Sequence, residues 1–268
     1  MVLKVFWQIF LIAITLGFLF GYLRYIENRS LFYPQKEIDY YPKDIGLDFE
    51  DVYFKSQDGL KLNGWFIPVN NARYTVIFTH GNAGNISHRV EKLKFFNGLG
   101  CNVFIFDYRG YGRSQGNPCE KGLYIDTKSA YDYLLSRTIL PEQLIGYGES
   151  LGGAFIIALA LRNKMRALIV DSTFTSAVDM VKHLYPFLPA WFFASRLDSL
   201  NKIKLINIPK LIIHSLNDEI VPYKLGQKLY NAAGQPKEFL QIHGGHNSCF
   251  FESENILREK IADFLQKI

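Results

Sequence analysis

The sequence predicts an α/β fold: a mostly parallel central sheet covered by helices on both faces. Three observations carry that expectation. From about residue 50 onward, short apolar runs rich in β-branched and aromatic residues alternate with longer runs of helical spacing. The short runs are continuously apolar rather than alternating, which is the pattern of strands buried on both faces. The glycine-rich or charged loops able to carry chemistry follow those runs at their carboxyl ends, where open α/β sheets bind ligands.

The first segment differs from the rest. Residues 5–23 carry no charge and are apolar apart from Gln8 and Thr15. A helix of that length rises about 30 Å, the hydrocarbon thickness of a bilayer. Trp7 lies near one end and Tyr22 and Tyr25 near the other, where amphipathic rings favour the membrane interface. The run is longer than the apolar core of a signal peptide, and no small-residue cleavage site follows it. Residues 1–25 are therefore expected to form an uncleaved, single-pass N-terminal membrane anchor. Lys4 on one side and Arg24 and Arg29 on the other do not fix the side on which the domain lies. Residues 26–48 read as a polar connector, a stalk between anchor and domain, and residues 49–268 as the globular domain.

Within that domain, residues 52–54 and 60–67 flank the turn sequence Ser56-Gln57-Asp58-Gly59 and predict a hairpin. Strands are expected at 75–79, 102–106, 144–147, 167–171, 210–214 and 238–242. Helices are expected at 89–99, 126–136, 150–162, 223–233 and 253–266. Residues 173–207 form an aromatic-rich insert between two strands.

Composition limits the function classes. With 268 residues, 49% of them hydrophobic and 21% charged, the chain suits one large globular domain. A net charge of +5 without an arginine-rich tract argues against a nucleic-acid partner. The three cysteines, Cys101, Cys119 and Cys249, are far apart and form no C-x-x-C, which argues against a zinc site or a disulfide framework; no metal and no cofactor are expected.

Gly148-Glu149-Ser150-Leu151-Gly152 follows one apolar strand and opens a helix. This G-x-S-x-G pattern suits a sharp strand-to-helix turn that projects the Ser150 hydroxyl from the sheet edge. A serine needs a base held by an acid to become nucleophilic. His246, beyond Gly244 and Gly245 after the last strand, is the preferred base, with His243 as competitor. Asp218 is the preferred acid, with Asp171 as alternative; Glu219 is expected to face solvent. The backbone N–H groups of Leu151 and Asn82, the latter with Ala83 as second choice, are expected to form an oxyanion hole.

His80-Gly81-Asn82-Ala83-Gly84-Asn85, Asp107-Tyr108-Arg109-Gly110-Tyr111-Gly112, the Ser150 turn and the Asp218 and His246 segments together resemble the α/β-hydrolase superfamily. More narrowly they resemble its membrane-anchored α/β-hydrolase-domain branch, often labelled serine aminopeptidase-like, from about Phe49 to the C-terminus. The resemblance implies Ser150 as nucleophile, Asp218 as acid, His246 as base, and a structural role for the Asp107/Arg109 loop. Cys119 and Cys249 are expected to be free thiols, since pairing would require an extracytoplasmic domain.

The insert at 173–207 lies where this fold places a cap. Phe187, Trp191 and Phe192 are expected to wall an acyl-binding cleft. The expected function is hydrolysis of ester or thioester bonds of a small-molecule or lipid-like acyl substrate, with a serine peptidase or an inactive binding protein as alternatives.

Overall fold

The computed structural model describes residues 2–187 and 195–268. It begins with helix α1 (Val2–Leu31), whose segment Lys4–Tyr22 has a mean hydropathy of 1.9 and no residue buried against the rest of the chain. That helix is long and apolar enough to cross a bilayer.

The segment after α1 is not a free stalk. Tyr33–Pro34 (β1) pairs in parallel with Ala83–Gly84 (β5), and Phe32 is 3% exposed. A 3-10 turn at Pro42–Ile45 follows, with Pro42 buried. The sequence is polar here because the segment runs over the surface, yet its backbone carbonyls and N–H groups are held by the domain.

Between β1 and β5 come β2 (Glu50–Lys55), β3 (Lys61–Ile67) and β4 (Thr75–Thr79). Next are α2 (Val90–Gly98), β6 (Asn102–Phe106), α3 (Glu120–Ser136), β7 (Leu144–Glu149), α4 (Leu151–Arg162) and β8 (Ala167–Asp171). Helices α5 (Ala177–Leu184) and α6 (Ser199–Ile203) lie in the insert. Strand β9 (Lys210–Ser215), α7 (Tyr223–Ala232), β10 (Lys237–Ile242), α8 (Cys249–Glu252) and α9 (Glu254–Lys267) complete the chain.

The main sheet has the order β10-β9-β8-β7-β4-β6-β3-β2. The strands from β10 to β6 are parallel, and the hairpin β2–β3 adds the antiparallel edge. Successive residues of each inner strand feed opposite faces. Val76 and Phe78 of β4 join the core under α2 and α9, whereas Ile77 joins the core under α3, α4 and α7. Both faces are covered, which is why the strands read as unbroken apolar runs. Helix α4 is apolar all round because it packs on β7 and against α3 and α6.

Helix α3 starts six residues earlier than its sequence pattern indicates. Gly122 in its first turns disguises it; a Cβ there would lie 2.4 Å from the Arg109 side chain. Arg109 is the reason for the close approach. Its guanidinium binds Asp126 of α3, with Nη2–Oδ1 2.7 Å, and Asp58 of the β2–β3 turn, with Nη1–Oδ2 2.8 Å. The loop after β6 is therefore an internal clamp.

Asp126→Ala would leave the buried guanidinium half-paired and is expected to cost about 3–5 kcal/mol of unfolding free energy in urea titrations. Asp58→Ala, with a side chain 40% exposed, is expected to cost about 1 kcal/mol or less.

Candidate active site

Ser150 sits between β7 and α4 with φ 50° and ψ −115°, a backbone conformation that side chains other than glycine rarely adopt. Several neighbours hold it there. The Ser150 N–H donates to the Asp171 carbonyl at 2.8 Å, and the Ser150 carbonyl accepts from the Gly153 N–H at 3.0 Å and from the Thr173 hydroxyl. Gly152 is required by packing: a Cβ on it would lie 1.9 Å from the Thr79 carbonyl oxygen of β4. The turn can thus press against the neighbouring strand and present the hydroxyl beyond the sheet.

His246 follows β10 and Asp218 follows β9, and the structure brings both to Ser150. Asp218 Oδ2 lies 2.7 Å from His246 Nδ1, and His246 Nε2 lies 3.1 Å from Ser150 Oγ. A carboxylate only accepts, so Nδ1 carries the ring proton and Nε2 is free to accept from the Ser150 hydroxyl. The second oxygen, Asp218 Oδ1, accepts the N–H groups of Ile220 at 3.0 Å and Val221 at 2.7 Å, which fixes the carboxylate plane. Glu219 is exposed, as its sequence context suggests, but it also accepts the His246 N–H at 2.9 Å and so holds the histidine loop.

The competing residues are engaged by other partners. His243 is exposed, and its N–H donates to the Ser253 hydroxyl. His214 is buried, binds the Val221 carbonyl at 2.8 Å, and is held neutral by burial. Asp171 accepts the Tyr147 hydroxyl at 2.6 Å and lies 3.3 Å from Lys92 Nζ. Cys249 Sγ is 3.6 Å from the His246 carbonyl, but burial pushes its thiol up to about 12, so it is no thiolate at neutral pH. All three cysteines are free thiols.

A group of charges that the sequence reading did not single out lies beside the histidine. Glu149, the residue before Ser150, binds Arg89 at 3.1 Å and Lys92 at 3.3 Å. Burial pushes its carboxyl up, but the two cations outweigh that and hold it at about 2. Burial likewise disfavours the Lys92 ammonium, and Glu149 and Asp171 more than offset it. For His246, burial disfavours the imidazolium, but the hydrogen bond and charge of Asp218, then the charges of Glu149 and Asp171, raise it above 6.5. Arg89 and Lys92 are far from Glu149 in sequence, and only the G-E-S-L-G glutamate itself could have signalled the group.

Leu151 is the first residue of α4, so its N–H has no carbonyl four residues back within the helix. Asn82 lies in the loop after β4, its side chain bound by the Leu31 carbonyl, the Tyr33 N–H and the Tyr111 hydroxyl. A cleft of about 470 Å³ opens at His246 and Glu149, walled by Tyr40, Ile45, Val90 and Phe250. Among the described residues it is built by the segment after β1, helix α2 and the histidine loop, and no described residue of the insert lines it. Phe187, expected in the cleft wall, is 96% exposed and does not line it. The insert helix α5 ends just before Phe187 and leaves the ring on the surface. Trp191 and Phe192 lie outside the described residues.

NMR titration of His246 is expected to give a pKa above 6.5, and Glu149→Gln is expected to lower it, because a neutral amide no longer favours the imidazolium. An unchanged titration would remove Glu149 from the electrostatics of the base.

Comparison with known proteins agrees with the fold. A family model described as alpha/beta hydrolase fold matches residues 74–194. The Escherichia coli protein YfhR is 36% identical over 84% of this chain and 85% of its own. The Arabidopsis thaliana alpha/beta hydrolase domain-containing protein WAV2 is 34% identical over 84% of this chain and 81% of its own. An esterase from Pyrococcus furiosus superposes with a TM-score of 0.74 at 22% identity, covering 88% of this chain and 97% of that one. With an eight-stranded sheet of this order, a strained strand-to-helix turn at Ser150 and these relatives, the chain belongs to the α/β-hydrolase family.

Proposed function

We propose that the protein is a serine hydrolase that cleaves ester or thioester bonds of apolar acyl substrates through an acyl-enzyme on Ser150. The observation that carries this reading is the continuous hydrogen-bonded chain from Asp218 Oδ2 through both nitrogens of His246 to Ser150 Oγ, at 2.7 and 3.1 Å. A hydroxyl within reach of a neutral imidazole nitrogen, with the opposite ring N–H bound by a carboxylate, is an activated nucleophile.

In this reading Ser150 Oγ attacks the acyl carbonyl carbon while its proton passes to His246 Nε2. The negative charge that develops on the carbonyl oxygen is met by the N–H groups of Leu151 and Asn82. Asp218 stabilises the imidazolium without taking its proton. The intermediate collapses as His246 returns that proton to the leaving oxygen or sulfur. Water then attacks the acyl-enzyme, gives a proton to His246, and releases the acid and the free serine. The base must be neutral at the first step, so turnover requires a pH at or above the raised pKa of His246.

The cleft supports an apolar acyl or leaving group, since Ile45, Val90 and Phe250 contribute hydrocarbon to the same cleft that His246 lines. The apolar helix α1 supports attachment to a membrane through a single N-terminal anchor. Both features suit a lipid-like substrate.

A fluorophosphonate probe is expected to label the wild-type protein and not Ser150→Ala, with kcat/KM on a chromogenic ester falling by at least about 10³-fold in the variant. Labelling that survived the substitution would remove Ser150 as nucleophile, and no labelling of either protein would favour a binding protein on this fold.

A further inference from the structure

The loop that carries Asn82 has an unusual support. Its short strand β5 pairs with β1 alone, in a two-stranded sheet separate from the main one. The chain leaving α1 therefore supplies the backbone partner of this loop. Its contacts are concentrated on residues 82–85. Asn82 Nδ2 donates to the carbonyl of Leu31, the last residue of α1, at 2.7 Å. Asn82 Oδ1 accepts the Tyr33 N–H at 3.2 Å and the Tyr111 hydroxyl at 3.0 Å. The Gln35 N–H donates to the Gly84 carbonyl at 3.0 Å, and Asn85 Nδ2 donates to the carbonyls of Gln35, at 3.2 Å, and Glu37.

These bonds satisfy groups on both sides. A helix leaves its last four carbonyls without intrahelical partners, and the Asn82 carboxamide satisfies one of them at the end of α1. In return, the carboxamide is held by donors and an acceptor from two directions. Phe32 fills the core between its neighbours at 3% exposure, which prevents the strap from lifting away. The Gly112 N–H adds a bond to the Gln35 carbonyl at 2.8 Å and ties the strap to the loop that carries Tyr111.

We propose that residues 31–37 are a positioning element for the oxyanion loop, so that the junction with the apolar N-terminal helix forms part of the catalytic apparatus. This rests on the reading of Ser150 as nucleophile and of the Asn82 N–H as an oxyanion donor. The Asn82 side chain does not touch the substrate. It holds its own backbone N–H at the place where charge develops, and an oxyanion donor displaced by a fraction of an ångström loses much of its effect. Displacement of the α1 terminus relative to the domain would change turnover before it changed folding.

The test uses the full chain in detergent micelles or lipid nanodiscs. Asn82→Ala removes all three side-chain bonds and keeps the backbone N–H. It is expected to lower kcat on a chromogenic ester by about 10- to 100-fold with KM changed less than about threefold. Tyr111→Phe, which removes one bond, is expected to give a smaller loss of the same kind. In both variants the fluorophosphonate should reach the wild-type labelling endpoint more slowly, with the thermal midpoint near that of wild type. If wild type labels fully and Asn82→Ala keeps kcat within about twofold, the positioning role is overturned while the nucleophile stands. A loss of kcat accompanied by a lower endpoint and a lower midpoint would mark a folding defect and also overturn it. If wild type itself takes no probe at Ser150, the underlying reading fails and this inference with it.

Discussion

The backbone of Ser150 is the constraint on which the rest of the site depends. A non-glycine residue at φ 50° and ψ −115° costs on the order of 1–3 kcal/mol, so it persists only where its surroundings over-determine it. Here the surroundings are the carboxyl ends of three adjacent strands. Strand β8 receives the Ser150 N–H through the Asp171 carbonyl, and the Thr173 hydroxyl just beyond it binds the Ser150 carbonyl. Strand β4 offers the Thr79 carbonyl, against which only a glycine at 152 can pack. The sheet order then dictates how far the other groups must travel. Asp218 and His246 leave β9 and β10, two and three strands from β7, and must arch over β8 to reach the hydroxyl. Asp218 and Glu219 hold the arch by accepting, respectively, the ring N–H and the backbone N–H of His246.

The electrostatics beside the turn work in the same direction. Glu149 sits one residue before the serine and is kept ionised by Arg89 and Lys92, so its charge lies close to the imidazole. Together with Asp218 it favours the imidazolium that proton transfer would create, at the cost of a higher pH for the neutral base. Lys92 also reaches Asp171, the residue whose carbonyl holds the Ser150 N–H. One half-buried ammonium therefore links the charge balance of the site to the backbone that positions the hydroxyl.

Much of this was legible in the sequence, for physical reasons that differ from element to element. The inner strands stand out because burial on both faces removes every polar residue from runs such as Val76-Ile77-Phe78. Ser150, Asp218 and His246 were candidates because each falls in a loop at a strand end, where the choice of titratable side chains is small. What escaped involves contacts between distant segments. Nothing local marks Arg89 or Lys92 as partners of Glu149, and Glu219 looks like a solvated carboxylate until the His246 loop folds over it. The segment after α1 has the composition of a linker, because it is bound through backbone groups that composition does not report. Phe187 misled for the opposite reason: an apolar residue in an aromatic insert suggested a wall, but the ring is exposed and the described wall of the cleft includes Tyr40, Ile45, Val90 and Phe250.

The most direct test of the account is the mass of the covalent intermediate. Acid quenching of the full chain during turnover of a slow ester, followed by peptide mass spectrometry, is expected to find the acyl mass on Ser150. The rate of its formation should fall by at least about 10³-fold when His246 is replaced by alanine. An acyl group on another residue, or steady turnover with no acylated Ser150, would contradict it.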